Sequence, residues 1–381
     1  MVQKFWKFFN PVEVVFDAGA VSRLSELVNY QRIVLVTSSG FTKRGVVARI
    51  AQSLGDRLIM VLDEVKPNPD VRDIDAQVEK VSNLGPDCIV GLGGGSSIDT
   101  AKALSRFLPQ ADGATLVTHF RNRMPLVDVP ALPVIAIPTT AGTGAEVTPF
   151  GTVWDFEESK KYSVTGSDLY PVTALLDPEL TLGLPMDVTV SSGLDAVSHA
   201  LESIWNRSAS PITLALATRS LQLSLPALKE LVDNPASINA RGAMMQASLL
   251  AGLAISQTRT ALAHSISYPL TTHFNLPHGI ACSFTLPALL RFNDKVDDGR
   301  LHELARGLGH DSVGQLAIEL DSLFLLLDVK GAFLRQIAGE EQVTALVGEM
   351  FTPGRADNNM RSADVADLES LVRESMLPFW S

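Results

Sequence analysis

The chain has 381 residues with a net charge of −11, and no run of Lys or Arg exceeds a pair, which argues against nucleic acid or an anionic membrane surface as a partner. A hydrophobic content of 46% against 19% charged residues excludes disorder over most of the length, and the length itself predicts two domains. Cys88 and Cys282 are too few for a disulfide framework and read as buried small hydrophobes in a reducing compartment; with no signal core in Met1–Asn10 and no long apolar run, the expected location is the cytoplasm.

Short apolar runs come first: Arg32–Thr37, Leu58–Leu62, Asp87–Gly91 and Val134–Ile137 predict strands covered on both faces. Between them Val71–Leu84 places Val71, Ile74, Val78 and Val81 at helical spacing, so a parallel sheet with crossover helices follows. From near Pro185 the texture changes to Ala, Leu and Ser in long helical patterns that continue to Val372. Asp177-Pro178 and Leu184-Pro185 punctuate the change, since proline drives the preceding residue out of helical geometry. The expected domains are an α/β unit at 1–180 and an all-helical unit at 181–381.

Three segments carry chemistry. Gly91-Leu-Gly-Gly-Gly-Ser-Ser-Ile-Asp99 follows a predicted strand and opens a predicted helix, a geometry whose backbone amides suit a phosphate. Ser96 stands where the strict dinucleotide pattern needs glycine, so a plain strand-to-helix turn stabilised by Asp99 reads equally well. Pro138-Thr-Thr-Ala-Gly-Thr-Gly-Ala-Glu146 offers three hydroxyls after another strand, or simply a polar cap. Two such loops at the ends of neighbouring strands favour a nucleotide. In the helical half, Asp195 and His199 are four apart and share a helix face, while His264 and His278 follow, the latter in Pro277-His-Gly279. One carboxylate with three imidazoles suits iron(II) or zinc, and no soft ligand is in view. Spacing alone leaves this set open, because a single histidine is more often a capped or core residue than a ligand.

Taken together, these segments occur in an order that resembles the iron-containing (group III) alcohol dehydrogenases. The carriers are the 93–96 glycine loop with Asp99 and Lys102, the 138–146 loop, Lys160, Asp177-Pro-Glu-Leu-Thr181, Gly193-Leu-Asp-Ala196 through His199, Pro277-His-Gly279, and the late markers Asn358, Asn359 and Arg361. The resemblance implies an N-terminal α/β dinucleotide-binding domain with a parallel sheet and an all-α C-terminal metal-binding domain, the architecture shared with dehydroquinate synthase. It implies NADH or NADPH held by Asn68, Gly94, Gly95, Ser96, Asp99, Thr139, Thr140, Thr143, Lys160 and Leu180. It also implies one divalent metal, iron(II) ahead of zinc, on Asp195, His199, His264 and His278. The activity implied is reduction of a small aldehyde to its alcohol; a homodimer is compatible with it.

Two departures from the family pattern stand out. The position four after His264, where a relay histidine is common, holds Tyr268, and the aspartate expected after the first strand is missing from Thr37-Ser-Ser-Gly40. Without that carboxylate, Ser38 and Ser39 can donate to a 2′-phosphate, with Lys43 and Arg44 close by, so NADPH is expected to serve at least as well as NADH. Within the family, Thr258–Pro269 and the run on to His278 look most like the phosphonoacetaldehyde reductases, which form 2-hydroxyethylphosphonate. A dianionic aldehyde needs a local cation, for which Arg259 is the candidate, and Thr260 adds a hydroxyl four residues before His264. Arg259 lies about 140° around an ideal helix from His264, so the helix must begin near Thr260 or bend there. The alternatives are a general short-chain aldehyde or alcohol dehydrogenase of the same family, a dehydroquinate synthase-like lyase, and a non-catalytic scaffold.

Overall fold

The computed structural model describes residues 5–110, 113–158 and 160–380; Met1–Lys4, part of the stretch read for a signal core, lie outside them. By packing, the chain forms two units. One holds Asn10–Thr140 and Ala145–Thr181; the other holds the chain from Leu182 onward together with Ala141–Gly144 and the described residues up to Phe9.

Among the described residues the first unit is built on eight strands, β1 (Glu13–Phe16), β2 (Ile33–Val36), β3 (Leu58–Leu62), β4 (Cys88–Gly93), β5 (Val134–Pro138), β6 (Phe150–Asp155), β7 (Lys160–Thr165) and β8 (Thr173–Leu176). Six of them form a sheet in the order β1-β8-β5-β4-β2-β3, with every neighbouring pair parallel. The four apolar runs are β2, β3, β4 and β5, and β2, β4 and β5 are buried at every position, which is why they show no polar alternation. The sequence expectation omits β1, an exposed edge strand, β8, a buried strand between β1 and β5, and the antiparallel β6–β7 hairpin. Strand order reverses between β2 and β4, where Thr37 Oγ1 donates to the Leu92 carbonyl at 2.8 Å. Ligands in open parallel sheets bind beyond the carboxyl ends of the strands at such a reversal.

A buried lysine fixes the loop after β5 within this unit. Lys102 Nζ donates to the carbonyls of Ala145, Thr148 and Phe150 at 2.6, 2.7 and 2.8 Å, which uses all three of its protons. Burial pushes it down to about 8 against the pull of Asp99 and Glu146, and burial likewise raises those carboxyls to about 6 and about 7. Lys102→Met, which strands three buried carbonyls, is expected to cost about 3 kcal/mol of stability, read as a lower urea midpoint. An unchanged midpoint would contradict this account.

The second unit is helical, with Met186–Ile204 at its centre and Pro211–Asp233, Ile238–Thr258, Leu262–Phe274 and His278–Ser283 packed in its core. From Gly193 the Met186–Ile204 helix is buried on every side, through Leu194, Val197 and Leu201 on one face and Asp195, His199 and Glu202 on another. Gly193 permits that closeness, since a Cβ there would come within 2.6 Å of Leu228. The Ile238–Thr258 helix stops at Arg259, whose φ of 65° and ψ of 175° lie in a region otherwise left to glycine, and the next helix starts at Leu262. Arg259, Thr260 and His264 therefore do not share one continuous helix, and the 140° offset does not apply. Among the described residues no helix is long and apolar enough to cross a membrane.

Candidate functional site

Three imidazoles converge on one carboxylate oxygen in the helical unit. The Nε2 atoms of His264, His199 and His278 lie 3.5, 3.6 and 3.9 Å from Asp195 Oδ1. The His199 and His264 rings are nearly parallel, 4.8 Å apart at 12°. Each element delivers its side chain for a local reason. Asp195 and His199 stand one turn apart on the Met186–Ile204 helix, His264 sits in the first turn of Leu262–Phe274, and His278 opens the short helix His278–Ser283 after Pro277. The Pro-His-Gly corner thus begins a helix, while the preceding helix ends at Asn275 in the left-handed region.

Ring orientation is set from behind. His264 Nδ1 is 2.6 Å from Glu202, a fully buried carboxylate that also accepts from the amides of Ala261 and His264 at 2.9 and 3.2 Å. His199 Nδ1 lies 3.2 Å from the Gly142 carbonyl. With Nδ1 engaged as donor, each ring in its neutral form presents the Nε2 lone pair toward Asp195. Burial alone would raise Asp195, but the surrounding histidines hold it well below the usual carboxylate range. Burial alone would lower His264, yet Glu202 and Asp195 outweigh it and raise it to about 10.

The donor set fits a divalent metal. His264 Nε2 is buried with no hydrogen-bond partner, a costly arrangement unless something else occupies its lone pair. Tetrahedral ligands bonded at about 2.0–2.2 Å stand about 3.3–3.6 Å apart, close to the separations from Asp195 found here. Two nearby groups escaped the sequence expectation. Glu202 continues the Asp195, His199 face at the next turn, an i, i+4, i+7 stripe that spacing alone makes visible. Cys282 is the correction: read as a plain hydrophobe, it lies four residues after His278 with Sγ 3.5 Å from Asp195 Oδ1. Its sulfur joins donors of Asp195, His264 and His278 that all lie within 4.8 Å of one another, so a soft atom does adjoin the set. Burial pushes its thiol pKa well up.

The other residues singled out by sequence are more dispersed. Tyr268 lies one turn beyond His264, with Arg355 Nε donating to its hydroxyl at 3.3 Å. The Arg259 carbonyl accepts from Asn206 Nδ2 at 3.3 Å and Thr258 Oγ1 at 3.0 Å, and the Thr260 carbonyl accepts from Asn358 Nδ2 at 2.8 Å.

In the α/β unit, β4 and β5 lie side by side with Gly93 opposite Pro138, so their two loops leave the same edge of the sheet. Gly93 has a φ of 148°, and a Cβ on it would fall 2.4 Å from Ser97 Oγ, so only glycine makes this turn. The Gly95–Phe107 helix begins after Gly94 with no side chain capping its amides, which leaves its N-terminus suited to a phosphate. Thr139 N donates to the Gly93 carbonyl at 3.0 Å, Thr140 lies against Gly94, and Ser96 Oγ accepts from Asn68 N at 3.3 Å. Asp99 accepts from the Thr152 amide at 2.9 Å, Lys160 is exposed and paired with Glu158 at 2.6 Å, and Leu180 is buried. Thr143 falls in the Ala141–Gly144 segment of the other unit. Ser38 makes a backbone bridge with Glu64, and Asp63 accepts from Thr42 Oγ1 at 2.6 Å. The sequence gap in carboxylates after β2 is thus partly filled from the end of β3.

Family profiles match both units: iron-containing alcohol dehydrogenase over residues 11–178, and the C-terminal part of the Fe-containing alcohol dehydrogenase family over 189–376. The chain is 36% identical to a phosphonoacetaldehyde reductase of Streptomyces viridochromogenes over 73% of its length and 71% of that protein's. It is 35% identical to a sulfoacetaldehyde reductase of Bilophila wadsworthia over 74% and 73%. Among solved structures, a sulfoacetaldehyde reductase from Bifidobacterium kashiwanohense in complex with NAD+ superposes with a TM-score of 0.91 at 29% identity, covering 98% of this chain and all of that one.

Proposed function

The chain belongs to the iron-containing alcohol dehydrogenase family, and from that premise we propose that it reduces a short anionic aldehyde, phosphonoacetaldehyde foremost, using NADPH or NADH and one divalent metal. The class, alcohol dehydrogenase or aldehyde reductase, follows from the family itself. The observation that carries the metal-dependent reading is the convergence of three Nε2 atoms on Asp195 Oδ1, with His264 Nε2 otherwise unpartnered.

Asp195, His199, His264 and His278 would hold the metal, with iron(II) favoured over zinc. A metal in this set supplies Lewis acidity that polarises a carbonyl oxygen, and the nicotinamide supplies the hydride. The protein's own part is orientation. Glu202 fixes the His264 tautomer, and Tyr268 offers a phenol that can hydrogen-bond an oxygen gaining negative charge. The uncapped amides at Gly94, Gly95 and Ser96 suit the pyrophosphate, with Asn68, Asp99, Thr139, Thr140, Thr143, Lys160 and Leu180 around the rest of the cofactor. Ser38 can donate to a 2′-phosphate, and Arg44, whose guanidinium stacks 4.4 Å from the Phe41 ring, supplies positive charge near it against the Asp63 carboxylate at the end of β3. Arg259 and Thr260 are assigned to the anionic end of the aldehyde. Sulfoacetaldehyde is the second reading, favoured by the similarity to two sulfoacetaldehyde reductases.

An aldehyde panel with both reduced cofactors, followed in the near-ultraviolet absorbance of reduced nicotinamide, tests this. We expect stoichiometric cofactor oxidation, a kcat/KM with NADPH at least equal to that with NADH, and a higher kcat/KM on phosphonoacetaldehyde than on a neutral aldehyde of similar size. No net cofactor oxidation would favour a lyase or a scaffold, and a strong NADH preference would remove the 2′-phosphate assignment.

A further inference from the structure

A loop strapped to the His264 helix carries an arginine that no ion pair among the described residues uses. Ser265 Oγ donates to the Met350 carbonyl at 2.6 Å and accepts from Thr352 N at 2.8 Å, which pins the start of the loop to the helix. Asn358 Nδ2 donates to the carbonyls of Thr260 and Gly354 at 2.8 and 3.0 Å, which pins its end just before the same helix. Between these fastenings the amides of Arg355 and Ala356 both donate to the Thr352 carbonyl at 3.1 Å, closing a tight turn. Arg355 is half-buried there, with Nε donating to Tyr268 Oη and Nη1 to the Gly354 carbonyl, each at 3.3 Å. Among the described residues no carboxylate pairs with it.

A half-buried guanidinium without a carboxylate, held by hydrogen bonds on both sides of its loop, is a prepared anion receptor. The chain's overall charge is negative, so such a group has to be supplied locally. We propose that Arg355, supported by Tyr268, is a specificity-determining residue that receives the phosphonate or sulfonate group of the aldehyde; this rests on the anionic substrate proposed above.

The dimensions agree. The helix advances about 6 Å from His264 to Tyr268. A short aldehyde carrying a tetrahedral oxyanion puts its charged oxygens about 5 Å from the carbonyl oxygen, counting bonds of about 1.2–1.8 Å. A charge-assisted hydrogen bond adds about 2.8 Å, enough to reach a guanidinium beside the Tyr268 turn. The anion has three oxygens, more than one guanidinium fork engages, so Arg355 and Arg259 are not competing assignments.

Steady-state kinetics of the metal-loaded enzyme on phosphonoacetaldehyde, sulfoacetaldehyde and a neutral aldehyde of similar size test it, for wild type, Arg355→Ala, Arg355→Lys and Tyr268→Phe. We expect Arg355→Ala to raise KM for the anionic aldehydes about 10–100-fold, the worth of a charged hydrogen-bond pair, and at least tenfold more than for the neutral one. Arg355→Lys should recover only part of that loss, because an ammonium cannot make the paired contact. Tyr268→Phe leaves the cation in place but removes its support, and should raise the anionic KM by a smaller factor. Methylphosphonate should compete with the aldehyde in wild type and lose potency in Arg355→Ala. If wild type favours both anionic aldehydes and Arg355→Ala loses equally on all three, or on none, the assignment to Arg355 is overturned while the anionic substrate stands. If wild type itself favours the neutral aldehyde, the anionic substrate falls and takes this inference with it.

Discussion

His264→Ala protein is expected to emerge from purification with almost no bound metal, and Glu202→Gln with an affinity lowered about 10–100-fold, the usual cost of removing a group that orients a metal-binding histidine. The two substitutions separate donating from positioning. His264 contributes the Nε2 that is buried without a partner, so its loss removes a donor outright. Glu202 is not one of the proposed donors, yet its Oε2 faces both His264 Nδ1 and the Ala261 amide while Oε1 accepts from His264 N. Glutamine keeps one acceptor oxygen and turns the other position into a donor, which faces an N–H whichever way the amide is set. The ring then loses a charged partner and part of its orientation, at about 1.4–2.7 kcal/mol for the stated affinity range. Metal analysis and competition with a chelator read both effects, and His278→Ala belongs in the same series. Full occupancy in His264→Ala or His278→Ala would remove the four-residue assignment; unchanged affinity in Glu202→Gln would reduce that carboxylate to a packing role.

The parts of the site that were legible in sequence are those whose chemistry shows in local spacing. Asp195 and His199 share a face by periodicity alone, and the Gly93 turn declares itself because a strand that runs directly into a helix leaves the backbone few solutions without glycine. Glu202 obeys the same periodicity, but a glutamate in an otherwise apolar helix gives no sign of its partners, which arrive from 60 residues further on. Cys282 was hidden for the opposite reason: cysteine in an apolar run behaves as core, and only the packing of His278–Ser283 against Met186–Ile204 turns its sulfur toward Asp195. A break near Thr260 was a condition of the Arg259 assignment and is present, but its form was not legible, because nothing in the residue type announces a backbone conformation normally left to glycine. Arg355 could not have been found by spacing from the histidines, since a loop about ninety residues later brings it to Tyr268. For the sheet, β2, β4 and β5 read clearly from their unbroken apolar runs, whereas β8, equally buried, is only the short TALL opened by a threonine, and β1 pairs along one edge only with an EVVF sequence that leaves most positions exposed.

Gly279→Ala is expected to be the most damaging single methyl addition in the helical unit. A Cβ at this position would lie 1.6 Å from the Ser191 carbonyl oxygen and 2.5 Å from its carbon, backbone atoms of the helix that also bears Asp195 and His199. No side-chain rotation relieves a clash with backbone, so the His278–Ser283 helix has to move bodily away from Met186–Ile204. That displacement would stretch the 2.6 Å hydrogen bond from Ser198 Oγ to the Cys282 carbonyl and draw His278, the residue before the glycine, away from Asp195. Overpacking of this kind costs about 1–3 kcal/mol in ordinary cores and more where the backbone cannot yield, so about 3 kcal/mol or more is expected here. Gly348→Ala, where an added Cβ meets nothing within 4 Å, is the matched control and should stay within about 0.5 kcal/mol of wild type. Urea midpoints and metal content, measured together on both variants, show whether packing and site fail as one. Gly279→Ala protein with wild-type stability and full metal would mean that the two helices are not held at the separation described, and that His278 reaches its place by some other route.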